Sequence, residues 1–320
     1  MYVGVDLGGT KIAAAIVNDD GEILDRVHLP TKASAGPEVI VAGVIQACKT
    51  LIDSSSESPR SIGIGVPGAV RDDTGVVVFT PNLPLRNVNM TNALAEMYKC
   101  PVRLGNDANC AVLGEAIAGS AKGAKDVVMI TLGTGLGGGI VIDGKLLSGL
   151  SGAAGEVGHM VVYEGGRKCG CGRQGCWETY ASASGLIKTA LEFMADAPDS
   201  LMWDLCVGLT ERVDGRTVFD AYRDNDPTAI LIVGKYVEHL AIGIISLINI
   251  LEPEIFCIGG GVSNAWQYME EPLAAAIEIE EYVRFSVGEP KTKLVKAALG
   301  NDAGVVGAAM LGREWIRSER

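Results

Sequence analysis

Short apolar runs separated by glycine-rich turns open the chain, and the same succession returns near its middle. The run Val3–Asp6 ends in Gly8-Gly9-Thr10; Ile12–Val17 follows, then Asp20-Gly21, a hairpin signal, then Glu22–Val27. Between residues 127 and 147 the order recurs: Val127–Thr131, Gly133-Thr134-Gly135 with Gly137-Gly138-Gly139, Ile140–Ile142, Asp143-Gly144 and Lys145–Leu147. Both read as strand, glycine loop, strand, Asp-Gly turn, strand. A repeat at half-molecule separation predicts two related domains, each opening with a meander whose first turn is glycine-rich. Chance similarity of two hairpins is the alternative.

Between the meanders the pattern predicts a helix over Pro37–Ile52 and a strand over Ser61–Val66 ending at Pro67-Gly68. A turn segment at Pro81-Asn82-Leu83-Pro84 and a short strand over Val102–Leu104 follow. Asn106 or Asp107 then stands at the N-cap position of a helix from about Asn109 to Ala118. Beyond Cys176 the chain reads as mainly helical to Leu251, then as a strand, Ile255–Ile258, ending at Gly259-Gly260-Gly261. Helical stretches near Trp266–Val283 and Ala303–Arg317 close it. The stretch Gly119–Lys125 marks a boundary between an N-terminal domain of 1–118, on which a C-terminal helix of about 300–320 packs back, and a larger domain of 119–299. A length of 320 residues independently favours two domains.

Composition narrows the chemistry. A net charge of −12 argues against nucleic acid or an anionic membrane as partner. Any phosphate ligand must then be neutralised locally, by amide groups and a metal. No basic leader precedes the first strand, and the longest apolar run, Leu240–Leu251, is too short to span a bilayer. A soluble cytoplasmic protein is expected, so its eight cysteines should be thiols rather than a disulfide framework. Cys48, Cys100, Cys110, Cys206 and Cys257 lie in apolar stretches and read as small core residues.

Glycine numbers 42, roughly twice the usual ~7% share, and the excess is clustered. Two look-alikes fail on context. Gly133, Gly135 and Gly138 spell G-x-G-x-x-G, but a dinucleotide fingerprint must open a helix, and this one joins two strands. Gly139–Lys145 fits G-x-x-x-x-G-K, but Leu146 replaces the Ser or Thr that would meet Mg²⁺. The remaining reading is a phosphate-binding hairpin, in which glycine lets consecutive amides converge on an oxyanion. Two such hairpins facing each other would grip a nucleotide phosphate chain from both sides. Gly8-Gly9-Thr10-Lys11 adds a hydroxyl and an ammonium to the turn. A tight structural turn is the other reading of either loop alone.

Phosphoryl transfer to an alcohol needs alignment, charge neutralisation and a carboxylate to take the hydroxyl proton. Asp6, beside the first glycine loop, is suited to hold Mg²⁺ directly or through water. Asp107, at a strand-to-helix junction, is the candidate base, with a plain N-cap as its other reading. His159, Cys169, Cys171 and Cys176 make a complete Zn²⁺ shell of one imidazole and three thiolates, which should be closed and structural. Glu156 and Glu178 flank it, so the clip would stiffen a carboxylate-bearing loop suited to grip a polyol, and the His159 nitrogen not on zinc could reach a sugar hydroxyl.

These motifs in this order resemble the ROK family (repressors, open reading frames, kinases), within the actin/hexokinase/Hsp70-like ATPase fold. The carriers are Asp6–Lys11, Gly105–Asn109, Leu132–Gly139, Glu156–His159 and Cys169–Glu178, so the likeness covers nearly the whole chain. It implies an α/β architecture of two related actin-like, ribonuclease H-like domains with an interdomain cleft. It further implies Asp107 as base, Asn106, Glu156, His159 and Glu178 on the sugar, and zinc at His159, Cys169, Cys171 and Cys176. The loops at 8–11 and 133–135 would hold ATP phosphates, with Gly260 and Gly261 beside the nucleotide, and Gly68 and Asn82 would line the sugar pocket. Family members commonly form dimers or tetramers. Repressor members carry an N-terminal helix-turn-helix extension, whereas this chain starts directly at the first phosphate strand. Ala154-Gly155 before Glu156 is the pattern associated with glucokinases, rather than the His-Pro of fructose-specific relatives. A glucokinase of glycolysis using ATP and Mg²⁺ is therefore expected. An N-acetylmannosamine or N-acetylglucosamine kinase, a sugar-binding regulator without turnover, and a zinc module without ligand remain the alternatives.

Overall fold

In the computed structural model, which describes residues 1–282 and 291–318, the chain forms two compact units. One comprises Met1–Met129, Gly139–Gly155 and the segment from Ala297 onward; the other comprises Ile130–Gly138 and Glu156–Lys296. Where the sequence places one boundary at 118/119, the chain stays in the first unit to Met129 and re-enters it at Gly139.

The first unit begins with β1 (Tyr2–Leu7), β2 (Lys11–Val17), β3 (Ile23–Pro30) and α1 (Pro37–Ser54), then β4 (Ser61–Val66). A three-stranded sheet of β5 (Ala69–Arg71), β6 (Val76–Phe79) and β7 (Arg86–Asn89) precedes α2 (Asn92–Tyr98), β8 (Val102–Asn106) and α3 (Asp107–Ala118). The main sheet has the order β3-β2-β1-β4-β8: an antiparallel meander continued by two parallel strands. Register aligns Asp6 with Gly65 and Gly65 with Gly105, so Asp6, the turn after Val66 and Asn106-Asp107 gather at the carboxyl ends of three parallel strands.

The second sheet, built from β9 (Val127–Leu132), β10 (Leu136–Ile142), β11 (Lys145–Leu146), β12 (Ile255–Gly259) and β13 (Lys293–Lys296), has the corresponding order β11-β10-β9-β12-β13. Between β11 and β12 run α4 (Glu178–Ala181), α5 (Ala183–Met194), α6 (Leu201–Leu205), α7 (Gly215–Arg223) and α8 (Pro227–Leu251). Then come β12 (Ile255–Gly259), a 3-10 turn at Gly261–Tyr268, α9 (Glu270–Glu280), β13 (Lys293–Lys296) and α10 (Ala303–Ser318). The repeat read from the glycine hairpins is thus a repeat of whole sheets. The helix expected over Trp266–Val283 is instead a 3-10 turn followed by α9, and Val283 lies outside the described residues. The apolar run at 240–251 belongs to a 25-residue helix, α8, long and apolar enough to cross a bilayer, with 61% of its most apolar window buried, as a core helix requires.

Period-two burial explains the main sheet. Val3, Val5 and Leu7 face α1 and pack with Ile40, Val44 and Leu51; Tyr2, Ala15 and Val17 face the other way and pack with Leu113, Val305, Val306 and Ala309. On that second face α10 touches backbone directly. A Cβ on Gly63 would lie 1.8 Å from the Ala308 carbonyl oxygen, and one on Gly307 would lie 1.6 Å from that of Cys110 in α3. Both glycines are required by this approach. Gly63→Ala should therefore destabilise by about 1–3 kcal/mol, lowering the thermal midpoint by roughly 2–10 °C. Gly9→Ala, whose new methyl meets nothing within 4 Å, should leave it unchanged in the same calorimetric scan.

Candidate functional site

In the first unit the predicted residues collect around the amino end of α3. Asn106 is the N-cap: its Oδ1 accepts from the backbone N–H groups of Ala108 (2.9 Å) and Asn109 (3.2 Å). Asp107 is the first helical residue. Asp107 Oδ1 also accepts from the Ala108 N–H, at 2.9 Å, so the two side chains share that amide while Asn106 alone reaches Asn109. Asn106 also donates through Nδ2 to the Gly68 carbonyl at 3.1 Å, joining two predicted sugar-pocket residues. Asn82 sits exposed in the turn between β6 and β7.

Asp6 lies near the end of β1, its carboxyl raised above the usual range by burial and partly lowered by Lys11. Burial drives the Cys110 thiol well up, and the charges of Asp6, Asp107 and Asp72 push it further, so these carboxylates share one neighbourhood. The first glycine loop is a tight turn closed by Gly8 N–H to the Lys11 carbonyl at 2.9 Å, with Gly9, Thr10 and Lys11 exposed.

In the second unit, Gly133-Thr134-Gly135 turns β9 into β10 with Gly133 N–H donating to the Gly135 carbonyl at 3.0 Å. Gly260, at φ 84°, lies against this strand end, since a Cβ there would fall 2.5 Å from the Leu132 nitrogen. The loops at 133–135 and 260–261 are thus brought together. Glu178, the first residue of α4, accepts from Leu136 N–H through Oε2 at 3.2 Å. A Cβ on Gly135 would stand 2.5 Å from that oxygen.

The other oxygen, Oε1, accepts from the Cys169 thiol at 3.3 Å and lies 3.9 Å from His159 Nδ1. His159 Nδ1 is 3.6 Å from Cys169 Sγ, Cys171 Sγ is 3.7 Å from Cys176 Sγ, and the four donor atoms all lie within 4.8 Å of one another. Such a set could hold a metal ion. His159 Nε2 points the other way, 3.9 Å from Glu156 Oε2. The imidazole therefore has Nδ1 toward Cys169 and Glu178, and Nε2 toward Glu156. The backbone pre-forms the cluster: Cys169 N–H donates to the Arg173 carbonyl (2.9 Å), and Gly175 N–H to that of Arg167 (2.8 Å). Burial raises the Cys169 thiol, whereas the Arg173 backbone N–H leads in holding Cys171 low.

Sequence reasoning missed the brace behind this loop. Arg167 donates to the Thr179 and Gly185 carbonyls and to Glu192, and lies over the Tyr180 ring. Tyr163 pairs its hydroxyl with His239 Nδ1 at 2.8 Å, and Trp177 donates to the His239 carbonyl. The only cue in the sequence was a histidine inside the apolar pattern of α8.

A ROK family model matches residues 2–314, and the chain belongs to that family. The two like-ordered α/β sheets are those of the actin-like ATPase fold in which its sugar kinases are built. The chain is 38% identical over 324 residues to the glucokinase of Halalkalibacterium halodurans, spanning 99% of this chain and 96% of that protein. It is 38% identical over 317 residues to the glucokinase of Thermotoga maritima, spanning 98% of each. A ROK family glucokinase from Streptomyces griseus, solved with glucose and AMPPNP, matches with a TM-score of 0.79 at 35% identity, over 98% of this chain and 99% of that one.

His239 is buried, and its pKa is pulled down to about 4, first by burial and then by Lys235 and Arg167, against the opposing charges of Glu238 and Glu192. The folded state thus binds this proton less well than the unfolded chain, whose histidine titrates near 6.5. Its contribution to stability is full above pH 6.5 and is lost as pH falls toward 4. His239→Asn, which keeps an acceptor for Tyr163, should flatten the fall of the thermal midpoint between those values relative to the parent, measured by scanning calorimetry across pH.

Proposed function

We propose that this chain is an ATP-dependent hexose kinase that makes glucose 6-phosphate. The observation carrying the reading is Asp107 at the first position of α3 with its cap supplied by Asn106, in a chain similar over its full length to glucokinases. In this reading the sugar 6-hydroxyl gives its proton to the Asp107 carboxylate as its oxygen bonds to the γ-phosphorus, and the bond to the β–γ bridging oxygen breaks, leaving ADP. Asn106, Glu156, His159 through Nε2, and Glu178 hold the remaining hydroxyls, with Gly68 and Asn82 lining the pocket. Amides of the loops at 8–11 and 133–135 take the phosphates, and Gly260 and Gly261 border the nucleotide. Asp6 would hold Mg²⁺, which when bound neutralises phosphate charge that a chain of net −12 otherwise repels.

The metal assigned to His159, Cys169, Cys171 and Cys176 is Zn²⁺. Ligand bonds of about 2.3 Å to sulfur and 2.1 Å to nitrogen imply tetrahedral edges of roughly 3.8 Å between sulfurs and 3.6 Å from sulfur to nitrogen. The distances of 3.7 Å and 3.6 Å support that fit. With all four positions taken by protein the ion is structural, stiffening the loop that carries Glu156 and Glu178. Reduced thiols in such a shell suit a cytoplasmic enzyme.

Asp107→Ala should lower turnover by roughly 10²–10⁴-fold while calorimetric glucose affinity changes little; surviving turnover would remove Asp107 as base. A coupled ADP-release assay over hexoses and acetamido-hexoses should give its highest kcat/KM with glucose. Preference for N-acetylmannosamine or N-acetylglucosamine would move the assignment within the family. Elemental analysis should find about one zinc per chain, and its removal by chelator should lower the thermal midpoint.

A further inference from the structure

Thr31 follows directly after β3 and is 1% exposed. Its hydroxyl donates to the Gly8 carbonyl at 2.7 Å, and its backbone N–H donates to the Thr10 carbonyl at 3.0 Å. One buried residue thus holds two carbonyls of the first glycine loop. A trans peptide is planar, so a carbonyl and the N–H that follows it point in opposite directions. Turning the Gly8 carbonyl toward Thr31 turns the Gly9 N–H away, and fixing the Thr10 carbonyl does the same for the Lys11 N–H.

The exposed side is open: a Cβ built on Gly9 meets nothing within 4 Å. Consecutive glycines at 8 and 9 leave this peptide with little steric preference of its own. A β-branched side chain with a stiff χ1 supplies what they lack. We infer that Thr31 is a positioning residue that presents the Gly9 and Lys11 amides to a nucleotide phosphate, an inference that rests on reading the 8–11 loop as part of the ATP site. Preorganised donors act without reorganisation when charge arrives; freeing the Gly8-Gly9 peptide makes each phosphate contact bear that cost.

The test is Thr31→Val, which removes the hydroxyl while keeping the shape and the backbone N–H. Calorimetric titration with ATP, without sugar, should show affinity roughly three- to tenfold weaker, the scale of one hydrogen bond, with glucose affinity unchanged. Steady-state kinetics should raise KM for ATP by the same factor and leave KM for glucose alone. Thr31→Ser, which restores the hydroxyl, should recover most of the loss. If Thr31→Val fails to fold, Thr31→Ala is read in the same way. Unchanged ATP affinity, parallel weakening of both substrates, or failure of Thr31→Ser to rescue would overturn the inference. A parent protein that binds ATP without phosphorylating any hexose would instead overturn the kinase reading, and the binding arm would still decide the role of Thr31.

Discussion

The first unit depends on bare backbone contact between α10 and its two seats, β4 and α3. With no side chain at Gly63 or Gly307, helix and sheet approach to a distance that any methyl would block. Glycine in a helix interior costs up to about 1 kcal/mol relative to alanine, and that cost is offset by apolar burial around the contact, where Val305, Val306, Ala309 and Met310 close over Tyr2 and Leu113. The contact also has a polar lock. Glu115, fully buried in α3, accepts from Ser120 N–H and Oγ and from the N–H groups of Ala298 and Leu299. A buried carboxylate is tolerated when its lone pairs are so occupied. α3 is thus fixed along its length, and with it the direction in which its first residue is offered.

That fixing divides labour between adjacent residues. Asn106 takes the cap and, through its amide, the Gly68 carbonyl. Asp107, one step inside and at the positive end of the helix dipole, accepts from the Ala108 N–H through Oδ1.

Much of this was legible in the sequence because it is local. The glycine hairpins, the Asp-Gly turns, the strand at Ser61–Val66 and the spacing of His159, Cys169, Cys171 and Cys176 are short-range signals, and the structure places those elements where the pattern does. What was not legible is set by contacts distant in sequence. β5, β6 and β7 are three to four residues each, too short for period-two alternation to register, and are defined by pairing with one another. β13 is half-exposed and reads as a charged loop, acquiring strand character only by lying parallel to β12. Cys110 looked like an ordinary core residue, yet it lies within the field of three carboxylates. Thr31 carried no signal at all, since its partners are the backbone of a loop more than twenty residues earlier.

The charge distribution ties these features together. A protein of net charge −12 that handles a polyanion cannot rely on its global field, and the exposed cation of the first loop, Lys11, stands beside the half-buried Asp6. Neutral donors solve the problem differently from lysines: an amide held in place contributes a dipole without a counterion to shed. It also loses its value when the peptide can rotate. Loops rich in glycine need rigid neighbours for that reason. In the second unit the neighbour of the 133–135 turn is Glu178, which accepts from the Leu136 amide through Oε2. Cys176 lies two residues before Glu178, so the cysteine loop and the glycine turn are joined through one short stretch of chain, and whatever stiffens that loop steadies the amides.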